Sequence, residues 1–351
     1  MSIVQSIQRN TITITAGLSY LDVTLGVTIT NLNRAELVID CKTGQSTVNL
    51  TNMCVSGRIT STTNVRFDRG GNTGAIVVHF HVIEYTVASG VLVDRGTGIL
   101  DSATKNITLT SRTRANCYSR LFMKTSNNTS FQTIMMTHDV TSDTNLQIVG
   151  NGIDTSITYD YQRIYIPDAT VHHFSGTATG TSYPVSLSGL GVVKEQAFCI
   201  VSMRGASAVD NDEFKGANLS SNTQCDIYSN SASNHYFTLQ VVHRAANRVE
   251  RNYSTFAATS FNVTWINPVM WSMSYINLAA PYGYFAPATY SNDAADFMPM
   301  SQLNGDYAIT LGKYRGTQTS YVVSEVIYID GYGATKTYYC PYWTFGGTGG
   351  K

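Results

Sequence analysis

Four stretches of this chain share one alternation of apolar and polar positions. In register they are VHFHVIEY (78–85), YDYQRIYI (159–166), FTLQVVHR (237–244) and VVSEVIYI (322–329). A period of two over eight residues predicts a β-strand with one apolar face. The copies begin 81, 78 and 85 residues apart, so the chain repeats itself about every 80 residues. Each stretch follows a shorter strand-like run and a Gly, Ser or Asn turn, as in TNVRFDRGGNTG, TNLQIVGNG, TQCDIYSNSASN and DYAITLGKYRGTQ. That spacing predicts a hairpin at the end of each unit. Upstream, NTITITAG (10–17) opens the first unit, and KNITLTS (105–111) and TSFNVTWI (259–266) read as its equivalents. The runs AELVIDC, RLFMKTS, AFCIVSM and WSMSYIN lie between. Six or seven short strands per unit predict an all-β protein of tandem small β-sandwiches, with a propeller as the lesser alternative. The units span residues 1–88, 89–169, 170–248 and 249–330, followed by an aromatic arm over 331–351.

Alternation also sorts the side chains of each copy onto two faces. Val78, Phe80 and Val82 correspond to Tyr159, Tyr161 and Arg163, then Phe237, Leu239 and Val241, then Val322, Ser324 and Val326, a mostly apolar set. The opposite face carries His79 and His81, Asp160 and Gln162, Thr238 and Gln240, Val323 and Glu325, so it reads as the wetter one. Two histidines on one strand face can chelate zinc. Glu84, however, faces the other side, and no ligand type recurs at these positions. The expectation is therefore no metal, with His79 and His81 exposed or at an interface.

Composition narrows the function. Only 13% of residues are charged and acids balance bases at 23 each, which gives no electrostatic case for nucleic acid or an anionic membrane as partner. No apolar run approaches the ~20 residues of a membrane span. The opening MSIVQSIQRNTITIT lacks the pattern of a secretory signal, so synthesis in a cytosol is expected. Six scattered cysteines without CxxC spacing read as buried free thiols. GGTGGK (346–351) has no helix after it to cap a phosphate and reads as a tail. Asp210, Asp212 and Glu213 read as a solvated turn rather than a calcium loop. His172 and His173, in IPDATVHHFSG, read as an interdomain linker. No nucleophile, paired-carboxylate or dinucleotide motif appears, so no catalytic residue, no metal and no cofactor are expected.

Tyrosine is abundant, at 22 residues, and clusters in MWSMSYINLAAPYGYFAPATY (270–290) and TYYCPYWTF (337–345). Clustered rings mark loop cores or contact surfaces. The candidate interface residues are Tyr282, Tyr284 and Phe285 in the first cluster and Tyr338, Tyr339, Tyr342, Trp343 and Phe345 in the second.

The start VQSIQRNTITI (4–14), taken with VHFHVIEY, resembles a domain of tailed-bacteriophage virion structural proteins. There a V-x-S-I-Q-R-G-T-I-T-I start leads to a V-x-x-x-V-x-E-F/Y final strand. The likeness covers the first 85 residues, and Asn10 stands where the pattern prefers glycine. It implies a non-enzymatic virion protein assembled in host cytoplasm, a modular β appendage of capsid or tail. Its partners would be other virion proteins and further copies of itself, with unit 1 as the docking module. The alternative is a tail-fibre receptor-binding protein that recognises host-surface glycan; an enzyme such as a depolymerase ranks third.

Overall fold

The computed structural model describes residues 3–43, 50–126, 134–180, 182–205, 215–229, 234–256, 260–264, 274–278, 284–285, 300–303, 308–312 and 320–329; beyond Asn247, side chains are described at Val249 and Ile327. Unit 1 holds β1 (Val4–Ile14), β2 (Tyr20–Thr24), β3 (Ala35–Thr43), β4 (Val55–Ser61), β5 (Asn64–Arg69) and β6 (Ile76–Tyr85). Unit 2 holds β7 (Leu92–Leu100), β8 (Thr104–Thr108), β9 (Cys117–Thr125), β10 (Thr137–Ser142), β11 (Asn145–Val149) and β12 (Asp154–Tyr165). Unit 3 holds β13 (Thr170–Ala178), β14 (Ser182–Ser186), β15 (Ala197–Gly205), β16 (Lys215–Ser221), β17 (Gln224–Ser229) and β18 (His235–His243). Unit 4 holds β19 (Asn247–Phe256), β20 (Ser260–Thr264), β21 (Ser274–Leu278), β22 (Tyr284–Phe285), β23 (Met300–Leu303), β24 (Ala308–Gly312) and β25 (Ser320–Ile329).

One topology serves all four units. In unit 1 the first sheet runs β1-β6-β3 and the second β2-β5-β4. The corresponding orders are β7-β12-β9 and β8-β11-β10, β13-β18-β15 and β14-β17-β16, and β19-β25-β21 and β20-β24-β23. β22 adds to β25 as a fourth strand. Every pairing is antiparallel. The fold is all-β, four tandem two-sheet units. Among the described residues helix is confined to the single turn Leu50–Met53 and 3₁₀ turns such as Leu32–Arg34, Arg114–Asn116 and Lys194–Gln196, each leading into a third strand.

Within unit 1, Ile14, Leu37, Val65, Phe67, Val78, Phe80 and Val82 are buried between the sheets. Phe67 and Phe80 meet from opposite sheets with ring centroids 5.0 Å apart. Burying such side chains contributes about 1.5–3 kcal/mol each.

That contact corrects the expected terminal hairpin. β5 and β6 belong to different sheets, because Val65 and Phe67 face Val78 and Phe80 across the core instead of pairing beside them. The chain turns as a hairpin one step earlier, between β4 and β5, across Thr62 and Thr63. The glycine-rich link after β5 carries the chain from one sheet to the other. Gly70 lies so close to unit 2 that a Cβ there would sit 1.6 Å from the Thr125 carbonyl oxygen.

Two further expectations change. KNITLTS begins within β8 and TSFNVTWI contains β20, second strands equivalent to β2, while β1 corresponds to β7, β13 and β19. An exposed edge strand and the outer half of a longer strand show the same Thr-rich alternation, so the pattern alone confuses them. His172 and His173 lie within β13, paired with Val241 and Gln240, and are no linker.

The face that reads as wet is covered as well: β6 is buried along nearly its whole length. The cover comes from a neighbouring unit. β4 lies against β9 and β12, β10 against β15 and β18, β16 against β25, and β23 against β3 and β6. Each unit thus lays the edge of its second sheet on the outer face of the next unit's first sheet. The fourth returns to the first, so the contacts close into a ring. At its centre Ile83, Ile164, Val242 and Ile327, which hold one register position in the four last strands, share an apolar cluster with Val93, Val171 and Val249.

Truncating this centre should therefore cost more than truncating an outer face. Ile164→Ala is expected to lower unfolding free energy by about 2–5 kcal/mol, whereas Ile99→Ala, at a side chain 48% exposed, should stay within about 0.5 kcal/mol. Urea titrations of both variants check this.

Candidate functional site at the unit boundaries

The polar residues of the last strands sit at the boundaries between units, where backbone groups that lack sheet partners need bonds. Gln162 Nε2 donates to the Leu37 carbonyl at 2.8 Å, and the Leu37 N–H donates to Gln162 Oε1 at 2.9 Å. One side-chain amide from unit 2 thus satisfies both main-chain groups of a residue in unit 1. Unit 3 repeats part of the device on unit 2: the Ser119 N–H donates to Gln240 Oε1 at 2.8 Å. Gln162 and Gln240 occupy one register position, as do Leu37 and Ser119. Thr238 Oγ1 donates to the His138 carbonyl at 2.8 Å while the His138 N–H donates to Ser202 Oγ at 2.9 Å, so β10 is held from two strands of unit 3. Buried Asp160 faces Arg58 of unit 1 at 3.4 Å, and burial raises its carboxyl above the ordinary range.

First strands contribute a matching clamp. Arg95 Nη2 donates to the carbonyls of Leu32 and Ala35, each at 2.5 Å, closing off the 3₁₀ turn of unit 1. Its equivalent in β13 is His173, whose Nε2 meets the Arg114 carbonyl at 3.2 Å and whose Nδ1 meets Asp139 Oδ1 at 2.6 Å. Near the ring centre, Glu36 is fully buried and accepts from Tyr85 Oη at 2.6 Å, Tyr118 Oη at 2.8 Å and Arg120 Nε at 2.5 Å. Its equivalents are aromatic, Tyr118 and Phe198.

His79 and His81 hold the register positions of Asp160 and Gln162, on the face that β23 approaches. They are not exposed, at 2% and 1% of their accessible surface. The rings meet edge to face with centroids 4.8 Å apart, and His79 Nδ1 lies 2.9 Å from Thr11 Oγ1. Arg9 and Val38 lie opposite His81, and Thr11 and Asp40 opposite His79. Burial first, then the Arg9 charge, pulls His79 down to about 4; burial, His79, Arg9 and Arg120 push His81 well below its ordinary value. His138 falls to about 4, again chiefly by burial. Among the described residues no three His, Cys, Asp or Glu side chains gather as a metal-ligand set.

Of the expected interface rings, Tyr284 and Phe285 form β22, opposite Tyr321 and Ser320 of β25. Tyr282 and the arm residues Tyr338, Tyr339, Tyr342, Trp343 and Phe345 lie outside the described residues, as do Asp210, Asp212 and Glu213. Cys54 and Cys117 are buried free thiols, and burial pushes Cys54 up to about 12 and Cys117 to about 11; Cys199 Sγ lies 3.7 Å from Cys225 Sγ.

Two clefts open at successive boundaries. One, of about 430 Å³, lies between units 1 and 2 beside Asn33, Asp94, Arg95, Thr110 and Arg112. The other, of about 480 Å³, lies between units 2 and 3 beside Arg114, Asp143, His172, His173, Phe174 and Leu190. Sequence reasoning overlooked Glu36, Arg95, Arg120 and the glutamine clamps. The one available signal was glutamine recurring at a single register position, 162 and 240.

No family model matches the chain, and no curated protein matches it.

Two outcomes test the boundary chemistry. Gln162→Ala leaves the Leu37 N–H and carbonyl without partners and should cost about 1–3 kcal/mol in a urea titration. His79, His81 and His138 are neutral in the folded chain and protonate near 6.5 once unfolded. The unfolded state therefore binds more protons below that pH, and stability is full above about 6.5 and falls as pH drops toward 4. Urea midpoints between pH 7.5 and 4.5 should decline, and the decline should shrink in His79→Gln/His81→Gln.

Proposed function

We propose that this chain is a non-enzymatic structural component of a bacteriophage virion, a modular β appendage carried on the capsid or the tail. The observation behind this reading is where the two halves of the virion-type motif lie. VQSIQRNTITI and VHFHVIEY are remote in sequence, yet as β1 and β6 they are antiparallel neighbours, with Ile7 opposite Ile83 and Arg9 opposite His81. Ile7 packs against the central apolar cluster that contains Ile83. The motif therefore encodes a sheet whose outer face joins units, which is the work of an assembly module. Other virion proteins and further copies of the chain are its proposed partners, with assembly in host cytoplasm. A second reading, a tail-fibre protein that grips host glycan, draws on the clefts at the unit boundaries.

Co-sedimentation of the purified chain with purified capsids and with purified tails tests the first reading, alongside binding to host cells and a glycan array. Saturable binding to one particle type and not to cells is expected. Binding to cells or glycan alone would favour the second reading, and binding to neither particle would overturn the first.

A further inference from the structure

We propose that the cleft between units 1 and 2 binds an oxyanion, a carboxylate or phosphate group on a small ligand. Two guanidinium groups converge here on one carboxylate, and a third, Arg95, lines the same cleft. Arg163, wholly buried behind the cleft, donates through Nε and Nη2 to Asp94 Oδ2 at 3.1 and 2.5 Å, and through Nη1 to the Asp143 carbonyl at 2.9 Å. Arg112 shares the same oxygen, Nε to Asp94 Oδ2 at 3.3 Å, and its guanidinium carbon lies 5.8 Å from the centre of the Tyr165 ring. Arg95 has no carboxylate of its own; Nη2 makes both of its hydrogen bonds, to neutral carbonyls. Burial pulls Arg95 down to about 10, with Asp94 opposing the shift, which leaves a charged group in the wall with little compensation. Nη1 and Nη2 of Arg112 and Nε and Nη1 of Arg95 remain to donate to a ligand. Asp143 lines the neighbouring cleft, where its Oδ1 accepts from the Arg114 N–H.

Guanidinium forks match the planar geometry of carboxylate and the tetrahedral geometry of phosphate. The volume, about 430 Å³, suits a monosaccharide acid or a phosphate ester, and the Thr108 and Thr110 side chains add hydroxyls to the lining. The equivalent cleft between units 2 and 3 differs in charge. There His172 and His173 stand at the positions of Asp94 and Arg95, His173 contacts Asp139, the lining Arg114 pairs with the same Asp139 at 3.4 Å, and Asp143 lines the wall. Anion binding is thus a property of the first boundary and not of the fold repeat.

Calorimetric titration of the full chain at low salt and pH 7 with glucuronate, glucose and inorganic phosphate tests this. Glucuronate, phosphate or both should bind, and glucose should not. Arg112→Gln should weaken that binding about tenfold or more, the loss of one charge-assisted contact. Arg66→Gln, which breaks a distant surface pair with Asp22, should leave it unchanged. Glucuronate binding alone assigns the site to a sugar acid, phosphate binding alone to a phosphate ester, and both to either oxyanion. Arg112→Lys keeps the charge without the fork and should fall between wild type and Arg112→Gln. Binding of neither anion, or equal binding by wild type and Arg112→Gln with unchanged melting temperatures, would overturn the proposal.

Discussion

The last strand of each unit must be covered on both faces, and the rest of the architecture follows from that requirement. One face of β6 packs into its own sandwich through Val78, Phe80 and Val82, while Ile83 and Tyr85 on the other face reach the shared central cluster. A unit of about 80 residues buries too little surface to be robust alone, and its outer sheet face would expose a broad apolar patch. Laying the second sheet of one unit on the first sheet of the next removes that patch. A head-to-tail contact of this kind either grows indefinitely or closes. Here it closes within one polypeptide at the fourth unit, where β23 meets β3 and β6.

Apolar contact alone would let any unit follow any other. The boundaries differ instead in their buried polar groups. Unit 1 meets unit 2 through Arg58 and Asp160 and through the Gln162 clamp; unit 2 meets unit 3 through His138, Ser202, Thr238 and Gln240. Placing one partner against the wrong unit would strand a buried donor or acceptor, at about 1–3 kcal/mol each. Buried ion pairs such as Glu36 with Arg120 add little net stability, since desolvation offsets their attraction. Their value lies in rejecting wrong neighbours.

How much of this was legible in the sequence follows from which contacts are local. The repeat and the strand character of the four matched stretches were legible, because alternation is a property of consecutive residues. The apolar inner face, Val78, Phe80 and Val82, was legible for the same reason. The destination of the other face was not: His79 and His81 are polar, yet both are buried, on a sheet whose β3 and β6 are approached by β23 from the far end of the chain. The supposed hairpin failed because turn residues reveal that a chain reverses, not whether the returning strand pairs or crosses to the facing sheet. His172 and His173 looked like linker because only four residues separate β12 from β13, too short an interval for composition to mark. Glu36 was invisible as a site residue, since its three partners come from β6 and β9 and nothing in AELVIDC distinguishes a central carboxylate from a surface one.

Joining the four units in one chain has a consequence that a ring of identical subunits cannot share. In a cyclic homotetramer every boundary carries the same residues, so a change that builds a site at one must be tolerated at all four. In a single chain the boundaries diverge independently. The first-strand position held by Arg95 in unit 2 and His173 in unit 3 shows this: both reach a carbonyl of the preceding 3₁₀ turn, yet one brings into its cleft a guanidinium hydrogen-bonded to carbonyls and the other an imidazole matched by Asp139. The structural duty is preserved while the charge of the cleft changes. A covalently closed ring of repeats can therefore keep one set of packing rules and still present chemically different clefts around its circumference.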